Sequence, residues 1–291
     1  MKLKNYKIPL LAIAFLGTLF SCSEEYLEVQ PEGVFLSDSY YLNEDQAFTG
    51  IVAAYDFMRK NSGGFENMIT MMNAGSDDHY AGGGNSTDGA GIQSFSNYTL
   101  NSFEFPPSFW DDYYRGIFRT NILLQKLPDI EMNEATKTRF TAEAKALRGY
   151  YHFNLVRLFK NVPMFTEPVA PTEMYEVVQA APEAVYAQIE TDLMEAIPNL
   201  PPSVSPDELG RLTKGAAQAI LGKVYLEQGK NAEAAAQFAE VNGTPGGTSQ
   251  YGYKLLDNFN DLWQIDQKYN SESILEVAHT NLAQTGWGQN Y

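Results

Sequence analysis

A short segment late in the chain constrains the fold more than any other feature. Leu221-Gly222-Lys223-Val224-Tyr225 fits the spacing L-G-x2-Y, and Ala234 and Phe238 follow as A-x3-F beyond a break at Gly229. Apolar residues on both sides of the break recur at helical spacing, so Thr213 to Gln228 and Asn231 to Val241 read as a helix pair. Small residues let the two backbones approach, while Tyr225 and Phe238 are expected to be buried in the gap beside them. Such a pair cannot bury its apolar faces alone, so further helices must stack against it.

The spacing is that of the tetratricopeptide repeat, which needs about three copies for stability. Gln218 stands where the pattern has Trp, and Gly246 where it has Pro. A weaker echo occurs at Leu147 and Tyr151, in a long helix from Asn133 to Phe159 that Lys160-Asn161-Val162-Pro163 stops. Its partner helix, Pro182 to Asn199, is delayed by residues 164 to 181, which read as an extended connection. Further helices are expected over Asn43 to Lys60 and Phe109 to Lys126, and they are available as another repeat. Asn43 and Gln46 have the spacing of a capping box. The expected fold class is therefore all-α (mainly), a tetratricopeptide-like helical repeat array with long irregular insertions. The longest insertion is the polar run GSDDHYAGGGNSTDGAGIQSFSNYTLNS, with six glycines from Gly75 to Gly91. Loops of that length without regular structure are uncommon in compact domains and often functional. Ser273 to His279 alternates enough to suggest a short strand.

The N-terminus has a different character. Lys2, Lys4 and Lys7 precede an uncharged, mostly apolar run from Ile8 to Phe20, the pattern of a secretory signal and too short to cross a membrane comfortably. The only cysteine, Cys22, follows at once. Leu19-Phe20-Ser21-Cys22 resembles a lipoprotein lipobox, with Phe20 bulkier than is usual at its position. This implies a signal peptide over 1–21 and a lipidated Cys22. One acyl chain binds a membrane only marginally, whereas a diacylglyceryl group with an N-acyl chain holds firmly. Ser23-Glu24-Glu25 resembles the acidic signal that sends lipoproteins of the Bacteroidetes to the cell surface. With no second cysteine, the exported part cannot rely on internal disulfides.

Charge narrows the partners. The chain carries a formal −16, and loss of the three leader lysines makes the remainder more acidic still. That argues against nucleic acid and against electrostatic docking on anionic lipid. It leaves neutral or cationic ligands, or a partner with a basic surface. The aromatic content suits a large core, but tyrosine also serves wet binding surfaces.

Sugar binding needs flat apolar ring faces with polar groups beside them for the hydroxyls. The insertion offers Asp77, Asp78, His79, Tyr80, Asn85 and Tyr98, and the end of the chain offers Trp287 and Tyr291 with Gln289 and Asn290. The competing reading is that these rings pack the loops onto the helices. Trp110, which shares a helix face with Tyr114 and Ile117, and Trp263 are expected to be structural. A catalytic set is not visible. Asp77-Asp78 and Asp111-Asp112 are adjacent pairs, and adjacent side chains rarely point into one cleft. No G-x-S-x-G occurs, and His79, His152 and His279 lack metal-ligand spacing. No cofactor is expected, and the acidic loop has no EF-hand pattern.

The order of segments adds a resemblance. A lipobox, YLEVQPEG, YYLNEDQAFTGIVAAYDFMR, FWDDYYRGIFRTNILL, AEAKALRGYYHFNLVRLFKNVPMF, the pair LTKGAAQAILGKVYLEQGKNAEAAAQFAEV and NSESILEVAH follow one another. In this the chain resembles the SusD/RagB family over nearly all of residues 22–291. The resemblance implies a tetratricopeptide-containing α fold and capture of nutrients, usually glycans. It also implies an outer-membrane lipoprotein on the cell surface and a partner, a SusC-like TonB-dependent outer-membrane transporter. Family members are usually much longer, so 22–291 is read as the N-terminal part of a larger protein. The expected site residues are Cys22 for lipidation and His79, Tyr80, Asn85, Tyr98 and Trp287 for an oligosaccharide. The alternative is a scaffold lipoprotein that binds protein segments in envelope assembly, and a carbohydrate-active enzyme comes third.

Overall fold

In the computed structural model, residues 40–277 are described, apart from 86, 104 and 171. Eight α-helices carry the described part: α1 (Glu44–Tyr55), α2 (Met68–Ala74), α3 (Ala90–Ser96), α4 (Ser108–Lys126), α5 (Glu134–Phe159), α6 (Pro182–Ala196), α7 (Lys214–Glu227) and α8 (Asn231–Asn242). From α4 onward, each helix packs against the next in sequence, and α1 lies against both α4 and α5. The array is mainly α, as its periodicity implied.

The helix starts follow the local chemistry. Asn43 Oδ1 accepts from the Gln46 N–H at 3.0 Å, and Gln46 Oε1 accepts in return from the Leu42 N–H at 2.7 Å. Asn133 caps α5 by accepting from the N–H groups of Ala135 and Thr136. Thr213 caps α7 through Ala216. Each cap satisfies amides that no helical carbonyl can reach. α1 ends earlier than its pattern suggested, because Asp56–Asn61 tightens into a 3-10 turn. The connection from 164 to 181 is closed at its base by a two-residue antiparallel ladder, β1 (Val162–Pro163) with β2 (Gln179–Ala180).

α5 is the centre of the fold and is buried along most of its circumference. Its neighbours approach closely where glycine makes room. A Cβ on Gly116 of α4 would lie 2.6 Å from the Tyr151 ring, and a Cβ on Gly222 of α7 would lie 2.6 Å from the Phe238 ring. The echo at Leu147 and Tyr151 is therefore real in one respect, since α5 does pair with α6. Tyr151, however, turns toward α4 and α1, where its hydroxyl donates to the Ala54 carbonyl.

Three expectations need correction. Tyr225 and Phe238 are half-buried rather than enclosed. Residues 273–277, the described part of the strand expected over Ser273 to His279, form no strand with any of the described residues; Ile274, Leu275 and Val277 instead pack onto the core. Trp263 is not a packed structural residue but is 73% exposed. Trp110 does pack, 4.7 Å from Tyr114 and 5.0 Å from Phe159 between ring centroids.

Burial gives α5 a pH dependence. His152 is fully enclosed, with Nδ1 3.1 Å from the Arg148 carbonyl and Nε2 without a partner. Loss of solvent, followed by the nearby Arg148 charge, drops its pKa from 6.5 to about 3. The unfolded chain therefore takes up this proton first as pH falls, and stability is lost from about pH 6.5 down toward pH 3. Moving from pH 7 to pH 5 should cost about 2 kcal/mol through this group alone. His152→Leu should flatten that part of the unfolding-versus-pH curve, and an unchanged slope in the variant would exclude the assignment.

Candidate functional site

The insertion between α2 and α4 is more ordered than its composition suggested. It is not structureless, because α3 forms within it on the apolar residues Ile92 and Phe95, with Gly89 at φ +68° starting the turn. Three side chains then fasten the loop around α3. The Tyr98 hydroxyl donates to the Gly75 carbonyl at 2.9 Å. Ser96 Oγ accepts from the Ala81 N–H at 3.3 Å. Gln93 Nε2 donates to the Asn85 and Asp88 carbonyls, both at 2.7 Å. Gly83 must stay glycine here, since its φ is +99° and a Cβ would meet Gln93 Nε2 at 2.8 Å.

The clips set where the candidate residues sit. Residues 75 and 81 are both held against the end of α3, so Asp77, His79 and Tyr80 lie on the short span between two fixed points. Tyr98 lies beside that span, its hydroxyl 3.5 Å from Asp77 Oδ1. Tyr80 is 83% exposed and Tyr98 73% exposed, and His79 is also exposed. These rings do not pack the loop onto the helices; they face solvent. Asn85 is exposed at the next turn, where its Oδ1 accepts from the N–H and hydroxyl of Thr87. That arrangement turns one side of the amide inward and leaves its NH2 group as a donor. Cys22 and Trp287 lie outside the described residues, as do His279 and Tyr291.

Two aromatic rings escaped the sequence reading. Phe103 is 97% exposed just past the insertion, on an Asx turn in which Asn101 Oδ1 accepts from its N–H. Phe65 is largely exposed and lies over Gly89, at the 3.4 Å at which a Cβ there would touch it. An aromatic among Asn and Ser residues was the available signal for Phe103; Phe65 carries no local signal, since only the fold brings it to α3. The fastened insertion and its flanks thus carry exposed rings along with exposed amide, carboxylate and imidazole groups. Among the described residues, no group of three or more His, Cys, Asp or Glu could hold a metal ion, and no helix is long and apolar enough to cross a membrane.

A second concavity, of about 370 Å³, lies between α1 and residues 207–211, with Phe48, Val52, Tyr55, Leu209 and Val277 in its walls. Its cations are already paired, Arg59 with Asp56 at 2.8 Å and Arg211 with Glu143 at 2.8 Å. Its apolar walls are rimmed by charged residues, Asp56, Arg59, Asp207, Glu208, Arg211 and Glu276.

A helical array that presents a fastened loop of exposed rings has the form of a surface binding protein. The comparisons give the family: the chain belongs to the SusD-like proteins described as "Starch-binding associating with outer membrane", matched over residues 25–226. That description is one of carbohydrate binding. A solved structure described as a laminarin binding SusD-like protein is 62% identical, with a TM-score of 0.82 over 85% of this chain and 54% of that one. Surface glycan-binding protein A from Bacteroides fluxus is 26% identical, with a TM-score of 0.71 over 84% of this chain and 53% of that one. SusD-like protein P25 from Formosa agariphila is 24% identical over 94% of this chain and 51% of its own length. The chain spans about half the length of these relatives.

Proposed function

We propose that the protein binds a neutral glucan of the laminarin class at the cell surface and does not cleave it. The observation that carries this reading is the 62% identity to the laminarin binding SusD-like protein over 85% of the chain. The exposed rings on the insertion support it. Tyr80 and Tyr98 would offer ring faces to the sugars, with His79 and Asn85 as hydroxyl partners and Trp287 as a further platform. The Tyr98 hydroxyl is already engaged with Gly75, which would hold its ring in place before the ligand arrives and so reduce the entropy cost of binding. A neutral ligand is also compatible with the acidic charge of the chain.

Calorimetry with laminarin oligosaccharides tests the platform. Replacing Tyr80 and Trp287 together by Ala should weaken binding about tenfold or more, which is about 1.4 kcal/mol or above, and leave the helical fold intact. Wild-type affinity in that variant would remove these platforms, and appearance of shorter sugars with the wild type would remove the non-enzymatic reading.

The same reading includes export, lipidation and transfer. Residues 1–21 would be removed as a signal peptide, Cys22 would carry the lipid anchor in the outer membrane, and residues 22–291 would form one SusD-like unit, itself the N-terminal part of a longer polypeptide. The captured glycan would pass to a TonB-dependent transporter beneath. Cys22→Ser should shift the protein from the membrane fraction to the soluble one, because the acyl chains would be its only strong anchor. Normal processing with full membrane retention in that variant would exclude the lipoprotein assignment.

A further inference from the structure

The insertion joins the helical array through a chain of rings. α3 has seven residues, too few for a helix to hold in water by itself. It packs beside α2, and its partly buried Phe95 ring lies 5.8 Å from Phe105 between centroids. Phe105 in turn lies 5.6 Å from Phe109 on α4 and 5.0 Å, edge-on, from Phe159 at the end of α5. Phe159 is backed by Trp110, also at 5.0 Å. Tilted and edge-on ring pairs at such distances attract beyond the area they bury. Phe105 belongs to neither helix. Its N–H donates to the Asn101 carbonyl at 3.1 Å, and Pro106 and Pro107 lead from it into α4, so the backbone on both sides is confined.

On its outer side, Phe95 underlies the clips that fasten the insertion. A Cβ on Gly75 would lie 3.5 Å from its ring, and the Gly75 carbonyl is the acceptor of the Tyr98 hydroxyl. Tyr98 is also tied to α3 through its backbone. Its φ is +55°, its N–H donates to the Phe95 carbonyl at 3.3 Å, and the Thr99 N–H donates to the Ser94 carbonyl at 3.0 Å. That pair of bonds is the helix-ending motif in which glycine usually takes the left-handed position. The direction of the Tyr98 ring is therefore set by the last turn of α3, and the contact of Phe95 with Phe105 seats that turn on the array.

We propose that Phe105 is a positioning residue for ligand binding. Touching no sugar itself, it seats α3 through Phe95 and so fixes Tyr98 and the span from Gly75 to Ala81. This rests on the reading of the insertion as the glycan-binding surface. A surface ordered beforehand spares the ligand the cost of ordering it. Without the Phe105 ring, α3 loses its seat on the array, and each binding event has to restore it. The array depends less on this ring, since Phe105 is partly exposed while Phe109, Tyr113 and Tyr151 farther in are fully buried.

Amide hydrogen exchange and calorimetry with laminarihexaose, both on the full polypeptide, test this. Phe105→Ala should speed exchange in the insertion about tenfold or more and leave α5 as protected as before. It should also weaken binding about tenfold, through a less favourable entropy. Phe95→Ala removes the same contact from the insertion side and should do the same. Phe95→Ala combined with Phe105→Ala should lose no more than either alone, and Phe105→Leu should recover most of the binding. Wild-type affinity in both single alanine variants overturns the positioning role while leaving the glycan reading standing. Weakened binding with unchanged exchange in the insertion also overturns it, by making Phe105 a sugar contact. Faster exchange spread equally through α5 in Phe95→Ala overturns it too, by making the rings supports of the array. A wild-type protein that binds no laminarihexaose overturns the glycan reading itself, and the positioning role falls with it.

Discussion

Asp192→Ala is expected to lower the unfolding free energy by about 3–5 kcal/mol, as removal of one partner from a buried ion pair does. Asp192 on α6 is 1% exposed and accepts two hydrogen bonds from Arg148 on α5, at 2.9 and 2.6 Å. Gln188 gives it a third, at 3.2 Å. Without the carboxylate, the Arg148 guanidinium stays buried with only neutral acceptors, Asn121 Oδ1 at 3.0 Å and the Thr166 carbonyl at 2.6 Å. The damage spreads, because Asn121 on α4 also donates to the Phe165 and Glu167 carbonyls and so holds the start of the long connection. Combining Arg148→Met with Asp192→Leu should recover much of the loss, since an apolar pair of similar volume leaves no uncompensated charge. Equilibrium urea unfolding decides it; a loss under about 1 kcal/mol for the single variant would mean that water reaches the pair.

That pair also shows where sequence reasoning runs out. Helix ends were legible because Asn43, Asn133 and Thr213 cap through local bonds that depend on neighbours two or three residues away. The close approach at Gly222 was legible for the same reason, as a spacing within one helix pair. α5 was not legible as a central helix. Glu143, Arg148, His152 and Asn154 give it a polar look, yet all four are buried. The groups that bury Arg148 and Glu143 lie on other elements, Asp192 being 44 residues away and Arg211 being 68, while His152 and Asn154 bond within α5 itself. The described part of the strand expected over 273–279 pairs with no described edge, because alternation can propose a strand but cannot supply the neighbouring edge. Of the candidate site, the exposed rings Tyr80 and Tyr98 could be read from composition. What fastens them could not, because the clips from Gln93, Ser96 and Tyr98 span 5 to 23 residues and depend on α3 forming. Phe65 reaches the insertion only through the fold, where its ring lies beside Gly89.

Glu143→Ala is expected to be as costly, about 3–5 kcal/mol, and for a reason that links the core to the surface near α1. The Glu143 carboxylate is fully buried, yet it accepts from Arg139 Nε at 2.9 Å, from Arg211 Nη2 at 2.8 Å and from the Tyr55 hydroxyl at 3.0 Å. Tyr55 in turn accepts from the Leu212 N–H at 2.9 Å, so one carboxylate joins α1, α5 and the segment that leads into α7. Two guanidinium groups share it, and Glu208 bridges them from the outer side, 2.9 Å from Arg139. Removing Glu143 leaves two cations beside each other with Glu208 alone, which is partly exposed and can follow them outward. Tyr55 loses its acceptor in a site where burial and the neighbouring carboxylate already hold its pKa well above normal, so its hydroxyl stays protonated and needs a partner. Glu143→Gln should cost less, since the amide oxygen still accepts from one arginine, and this ordering separates lost charge from lost packing. Urea unfolding of both variants at neutral pH is the measurement. The network would be shown to be dispensable by an alanine variant within about 1 kcal/mol of wild type. An alanine loss matched by the glutamine variant would point instead to the negative charge as the whole of its role.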